Sequence, residues 1–267
     1  MKKKYNYSLI FGIAITGLIL LIAVIGKFWT PYDPNQLNAS LKNTAPSLAH
    51  LMGTDNLGRD IFSRVMAGTG TTLTIAWRTV FIGIFYGTII GSLTGYFGGW
   101  IDEIVMRVND IVLSFPSVLL ALIVVSILGP GWPNLIISLG ILFIPSFARI
   151  VRSEMLRLKS LDFVKSAKVM GAGSLRIIFV HMMPNIVVSM LTTAAIGFNN
   201  AILAEASMSY LGLGVQPPDA SLGRMIADSQ AYLFIAPWFS LFPGAVIILT
   251  ILGFSLISEG LRKASSN

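Results

Sequence analysis

Side chains able to make or break bonds are scarce in this chain, and they are scattered. There is no cysteine, which removes disulfides, thiolate metal sites and a thiol nucleophile. The two histidines, His50 and His181, lie too far apart in sequence for a local metal motif. No G-x-x-x-x-G-K-S/T phosphate loop occurs, so a nucleotide would have to bind another subunit. The acid most out of place is Glu205, which shares an apolar run from Ile186 to Leu213 with Asn199 and Asn200. An ionisable group in such a run faces a bundle interior or a watery cavity and marks a transport path, or makes a structural hydrogen bond between helices. The spacing leaves both readings open.

The surrounding composition says what positions these residues. Hydrophobic residues make up 54% of the chain and charged ones 12%, with mean hydropathy +0.77, which suits a bilayer and not a soluble globule. The net charge of +7 is spread between apolar runs and not gathered on one face, so nucleic acid is not an expected partner. Six spans are expected: Leu9 to Ile25, Leu73 to Phe97, Ile111 to Leu128, Asn134 to Ile150, Ile186 to Leu213 and Pro237 to Leu256. The first run fits a signal peptide or an uncleaved span. Its continuation to Trp29 and the lack of an A-x-A site favour the span. In the second, Gly83, Gly87, Gly91 and Gly95 recur every four residues, leaving one helix face of bare backbone for another helix to approach.

Between spans four and five lies an insert, Asp162 to Asn185, reading DFVKSAKVMGAGSLRIIFVHMMPN. Phe163, Val164, Ala167 and Met170 recur at i, i+1, i+4, i+7 and predict a short amphipathic helix with Asp162 as N-cap. Gly171 and Gly173 break it, Ser174 caps a second helix with Leu175, Ile178, Phe179 and Met182 on one face, and Pro184 ends that helix. A helix of two or three turns is marginal alone, so its apolar face needs a headgroup surface or a protein partner.

Placing both termini, the loop Gly98 to Asp110 and this insert in the cytoplasm puts thirteen of the nineteen basic residues inside, Lys2, Lys3 and Lys4 among them. The five tryptophans then fall at span ends, as an aromatic belt requires. Thr30 to Thr69 and Gly214 to Ala236 lie outside, with Ile61, Phe62, Val65 and Met66 fit for an interfacial helix. The chain divides into residues 1–70, a first span with an extracytoplasmic segment, and 71–263, a transmembrane domain whose cytoplasmic loop covers 154–185.

Ala167, Gly171 and Pro184 keep the spacing of the E-A-A-x3-G-x9-I-x-L-P loop of ABC importer permeases, while Lys165, Ser166, His181 and Met183 replace its Glu, first Ala, Ile and Leu. The segments GTDNLGRDIFSRVMAG, GYFGGWIDEIVMRVNDI, LSFPSVLLAL, AILAEASMSYLGLGVQPP and APWFSLFPG extend the likeness along nearly the whole chain. Together they resemble the C-type permease of oligopeptide, dipeptide and nickel importers. The resemblance implies an all-α type I importer fold in a bacterial or archaeal cytoplasmic membrane. It implies four kinds of partner: a second, B-type permease, two ATP-binding subunits, an extracytoplasmic substrate-binding protein and the lipid membrane. The chain itself would bind no cofactor and catalyse nothing, with ATP and Mg held in the ATPase subunits.

By position, Asp162, Phe163, Val164, Lys165, Ala167 and Met170 would form the ATPase-coupling helix, Gly171 its turn and Pro184 the end of the second helix. Asn199, Asn200 and Glu205 are translocation-path candidates, and Gly83, Gly87, Gly91 and Gly95 a packing seam. The expected cargo is a di- or oligopeptide, with nickel or a metal chelate as the alternative. A rival of another class is a secondary transporter or channel working alone, with Glu205 as relay. An intramembrane hydrolase would need an acid, base or metal cluster that two distant histidines do not supply.

Overall fold

The computed structural model describes residues 7–265, and every regular element in it is helical. Helix α1 (Tyr7–Phe28) is followed by an irregular segment with one 3-10 turn at Ala39–Leu41. Then come α2 (Ile61–Phe97), α3 (Gly99–Ser114), α4 (Ser117–Leu128) and α5 (Trp132–Lys159). After α6 (Asp162–Val169), a continuous helical rod runs through α7 (Ser174–Arg176), a π-helical stretch (Ile177–Met182) and α8 (Met183–Tyr210). Short α9 (Leu222–Ser229) precedes α10 (Trp238–Ser265). Lys2, Lys3 and Lys4 lie outside the described residues.

Among the described residues five helices are long and apolar enough to cross a membrane: α1, α2, α5, the rod Ser174–Tyr210 and α10. A sixth crossing is available only if α3 and α4, bent by 93°, count as one span. The expected third span, Ile111 to Leu128, is broken near its start, at Phe115 and Pro116. Phe115 is extended and Pro116 caps α4, because proline disfavours helix at the residue before it.

Gly98 to Asp110 is not the loop its charges suggested but most of α3. Those charges are met sideways. Asp102 accepts from Nε and Nη2 of Arg152 on α5 at 2.5 and 2.6 Å, Asp110 pairs with Arg149, and Glu103 pairs with Arg107 at 2.9 Å. Helix α2 likewise begins twelve residues earlier than expected, at Ile61, since Asp60 caps it by accepting from the Ser63 amide at 2.7 Å. The interfacial helix and the second span are one rod, and the boundary at 70/71 falls inside it. One core joins Ile19 and Ala23 of α1 with Ile61 and Val65 of α2, Phe198 of α8 and Phe239 of α10.

The glycine stripe faces α5. An added Cβ at Gly83 would stand 2.9 Å from Phe143 and Phe147, at Gly87 2.6 Å from the Phe147 Cβ, and at Gly95 2.7 Å from the Met155 Cβ. At Gly91 it would collide with the Ala148 carbonyl and stand 2.8 Å from Val151. The two backbones lie as near as glycine permits, which gives the dispersion contact that helix association in lipid depends on.

Candidate functional site

The insert between α5 and α8 is built on its own small core. Val151, Met155 and Leu158 of α5, Val164 and Ala167 of α6, Ile177, Ile178 and Met182 of the π stretch and Ile186 of α8 are all buried together. Glu154 of α5 also accepts from the Ser189 hydroxyl of α8 at 2.8 Å. Helix α6 is therefore fastened at once to the end of one span and the start of another.

Its faces differ from the expected single stripe. Val164 and Ala167 are spent on this inner core, at 4% and 3% exposure, while Phe163 and Met170 are exposed at 40% and 80%. The four predicted residues thus divide into an inward pair and an outward pair. On a 100° wheel the inward face is flanked on one side by Phe163 and Met170 and on the other by Lys165 and Lys168.

Asp162 does not cap α6. Leu161 occupies that place, and the Asp162 carboxylate instead meets Lys165 at 3.3 Å on the exposed surface. The Gly171 turn forms as expected, at φ +81°, with the Ala172 amide donating to the Ala167 carbonyl and the Gly171 amide to the Lys168 carbonyl. Space around Gly171 is open, so its constraint is the backbone angle alone. Ser174 is the first residue of α7 and not its cap, which is Gly173. Leu175 and Phe179 are exposed, and Ile177 takes their expected place inside.

Pro184 does not end the second helix. It sits in the first turn of α8, where a missing amide is tolerated. The chain passes it through the π stretch, in which the Met183 amide reaches back to Ile178. The Asn185 side chain meets the His181 carbonyl at 2.6 Å.

The path candidates are not gathered in one place. Glu205 is fully buried, accepting from Thr72 of α2 at 3.0 Å and Ser209 at 2.7 Å. Thr72 in turn accepts from the Leu222 amide that begins α9, and Ser209 from the Val215 amide. The acid is the hub of a knot joining α2, α8 and α9, with no surface exposed. Asn199 turns to Ser255 of α10 at 2.8 Å. Asn200 alone stays exposed, on the α8 face that also carries Leu203, Ser207 and Tyr210.

A buried ion network also lies within 30–64, outside every residue the sequence singles out for function. Asp55 accepts from Arg59 Nε at 2.6 Å and stands 3.7 Å from Arg64 Nε, with Arg64 at 1% exposure. Arg64 also donates to the Pro34 carbonyl at 3.0 Å, and Asp60 meets His50 at 2.9 Å. The signal lies in Gly53-Thr54-Asp55-Asn56-Leu57-Gly58-Arg59-Asp60, where two positive-φ glycines, Gly53 and Gly58, bracket Asp55 and oppositely charged Arg59 follows at once.

Residues 87–266 match the family described as binding-protein-dependent transport system inner membrane component. The chain is similar to the dipeptide transport system permease protein DppC of Alkalihalophilus pseudofirmus, with 40% identity over 98% of this chain and 86% of that one. It is 41% identical to the glutathione transport system permease protein GsiD of Pectobacterium atrosepticum, over 93% and 84% of the two chains. With DppC of Haemophilus influenzae the identity is 35%, over 98% and 90%. The chain belongs to this inner membrane component family. It is an ABC importer permease subunit, as the motifs implied. The family match takes in the α6 insert, most of the glycine seam and Glu205, whereas the Asp55 network precedes it.

Proposed function

We propose that this permease carries short peptides across the cytoplasmic membrane as half of a two-permease path, with ATP hydrolysed on separate cytoplasmic subunits and cargo delivered by an extracytoplasmic binding protein. Di- and oligopeptides are the cargo class, in keeping with relatives named for dipeptide and glutathione transport. Both termini and the insert lie on the cytoplasmic side in this reading, which the distribution of basic residues supports.

The observation that carries the coupling role is the shared core beneath α6. Because Val164 and Ala167 pack against α5, the π stretch and α8 together, a displacement of α6 is passed to two spans rather than absorbed by a loop. Phe163 and Met170, exposed at the end of this assembly, are the apolar anchors for an ATPase groove. Closure of the ATPase pair would drag α6 and switch the path between inward- and outward-facing states. The exposed α8 face of Asn200, Ser207 and Tyr210 is the surface this chain offers to that path.

The test is Phe163→Asp and Met170→Asp in the reconstituted transporter. Both side chains are outside the core, so the chain should remain folded while binding-protein-stimulated ATP hydrolysis and dipeptide uptake are lost together. Unchanged stimulation in both variants would remove the coupling role. Uptake driven by an ion gradient without ATP would restore the stand-alone transporter.

A further inference from the structure

The basic flank of α6, on the side away from the exposed anchors Phe163 and Met170, faces a cavity. It measures about 380 Å³ and lies between the end of α2, the end of α5, α6 and the start of α7. Its walls carry three ammonium groups, those of Lys159, Lys165 and Lys168, with the Ser174 hydroxyl and no carboxylate. Lys159 is held in place, donating to the Tyr96 carbonyl at 2.6 Å and lying 5.8 Å from the centre of the Tyr96 ring. Lys165 has only the exposed Asp162 at 3.3 Å beside it. The Lys168 ammonium has no ion pair or hydrogen bond among the described residues.

One wall of the cavity is Phe97, and Phe97 is also the last member of an exposed apolar stripe along α2, Tyr86, Ile89, Leu93 and Phe97, spaced i, i+3, i+7, i+11. A cationic head pocket therefore runs directly into an apolar track parallel to a membrane-spanning helix. We propose that this is a binding site for one anionic phospholipid, its phosphate among Lys159, Lys165 and Lys168 and an acyl chain along the α2 stripe. The charge complements a phosphate, and the continuity through Phe97 selects the lipid over a free anion. Such a lipid bridges α6 to the ends of α2 and α5 and stiffens the joint through which α6 would act. The inference rests on the cytoplasmic placement of α6 proposed above, but the binding itself requires no ATPase.

The experiment is native mass spectrometry of the delipidated full chain, titrated separately with phosphatidylglycerol and phosphatidylcholine. The first phosphatidylglycerol should bind more tightly than the first phosphatidylcholine. Lys168→Gln should weaken phosphatidylglycerol about fivefold, and the triple variant Lys159→Gln, Lys165→Gln, Lys168→Gln roughly a hundredfold, leaving phosphatidylcholine unchanged. Replacing the same three lysines by arginine should keep the preference, which separates lost charge from lost fold. An Arg107→Gln, Arg157→Gln, Arg176→Gln control removes as much charge from outside the cavity and should bind as the parent does. Equal binding of the two lipids, an equal loss in the control, or displacement of phosphatidylglycerol by millimolar inorganic phosphate would each overturn the proposal, the last by making this a free-phosphate site. If the lipid preference holds but α6 variants leave ATP hydrolysis intact, the site stands and the coupling role falls.

Discussion

Gly91→Ala adds a single methyl group at the tightest point of the α2/α5 seam. That methyl would overlap the Ala148 carbonyl and lie 2.8 Å from the Val151 Cβ and 3.0 Å from the Arg152 amide. Two of these three neighbours are backbone of a rigid helix, so relief requires the helices to separate rather than a side chain to turn. Ordinary carbon contacts sit near 3.5–4.0 Å, so the axes must part by up to about 1 Å locally. Overpacking of this kind costs about 1–3 kcal/mol. Gly17→Ala is the matched control, since Gly17 lies on the exposed face of α1 with nothing within 4 Å of an added Cβ. Both replacements gain the same helix propensity, about 0.5–1 kcal/mol, so their difference isolates the clash. Thermal unfolding of the detergent-solubilised chain should show Gly91→Ala below Gly17→Ala by about 2–4 °C for each kcal/mol. Equal midpoints for the two variants would refute the claim that α2 and α5 pack backbone to backbone at this seam.

Asp55→Ala leaves Arg59 and Arg64 buried without their shared carboxylate and should cost about 3–5 kcal/mol, read as a loss of monodisperse protein on size exclusion. Glu205→Ala strips the acceptor from Thr72 and Ser209 and should destabilise the chain by about 1–3 kcal/mol per orphaned hydroxyl in the same thermal assay, with Glu205→Gln milder. Ala167→Asp should lower folded yield as well as coupling, because Ala167 is 3% exposed, whereas Met170→Asp should leave yield intact. Gly171→Val forces a β-branched residue to φ +81° and should disorder the α6 turn, measured as faster proteolysis between α6 and α7.

What the sequence made legible followed from periodic patterns. Apolar runs located the long spans, the four-residue glycine spacing located the α2/α5 seam, and Gly171 located a turn because only one backbone angle fits there. Its errors share a cause, which is that the partner of a residue cannot be read from its neighbours. Asp102 and Asp110 looked like loop residues until Arg152 and Arg149 on α5 supplied their counter-charges. Asp60 ends the outer segment as a cap, but the helix it starts reads as polar because Ser63, Arg64 and Thr69 are buried against other segments. Val164 and Ala167 fit a partner's groove by periodicity, yet the apolar surface they bury against is the chain's own. Glu205 suggests a path in the sequence because, of the two hydroxyls that satisfy it, only Ser209 is near it and Thr72 lies on α2.

The length of α2 has a mechanical meaning. At 1.5 Å per residue its 37 residues extend about 55 Å, while a bilayer's hydrocarbon is about 30 Å thick. The rod is therefore longer than one crossing needs: one end is clamped in the folded 30–64 segment by Asp60 and Arg64, while the other reaches Tyr96 and Phe97 beside α6. A hydrogen-bonded helix is stiff along its axis, so this element works as a strut rather than a tether. A force that tilts one end would swing the other as well, by leverage about the close-packed glycine seam.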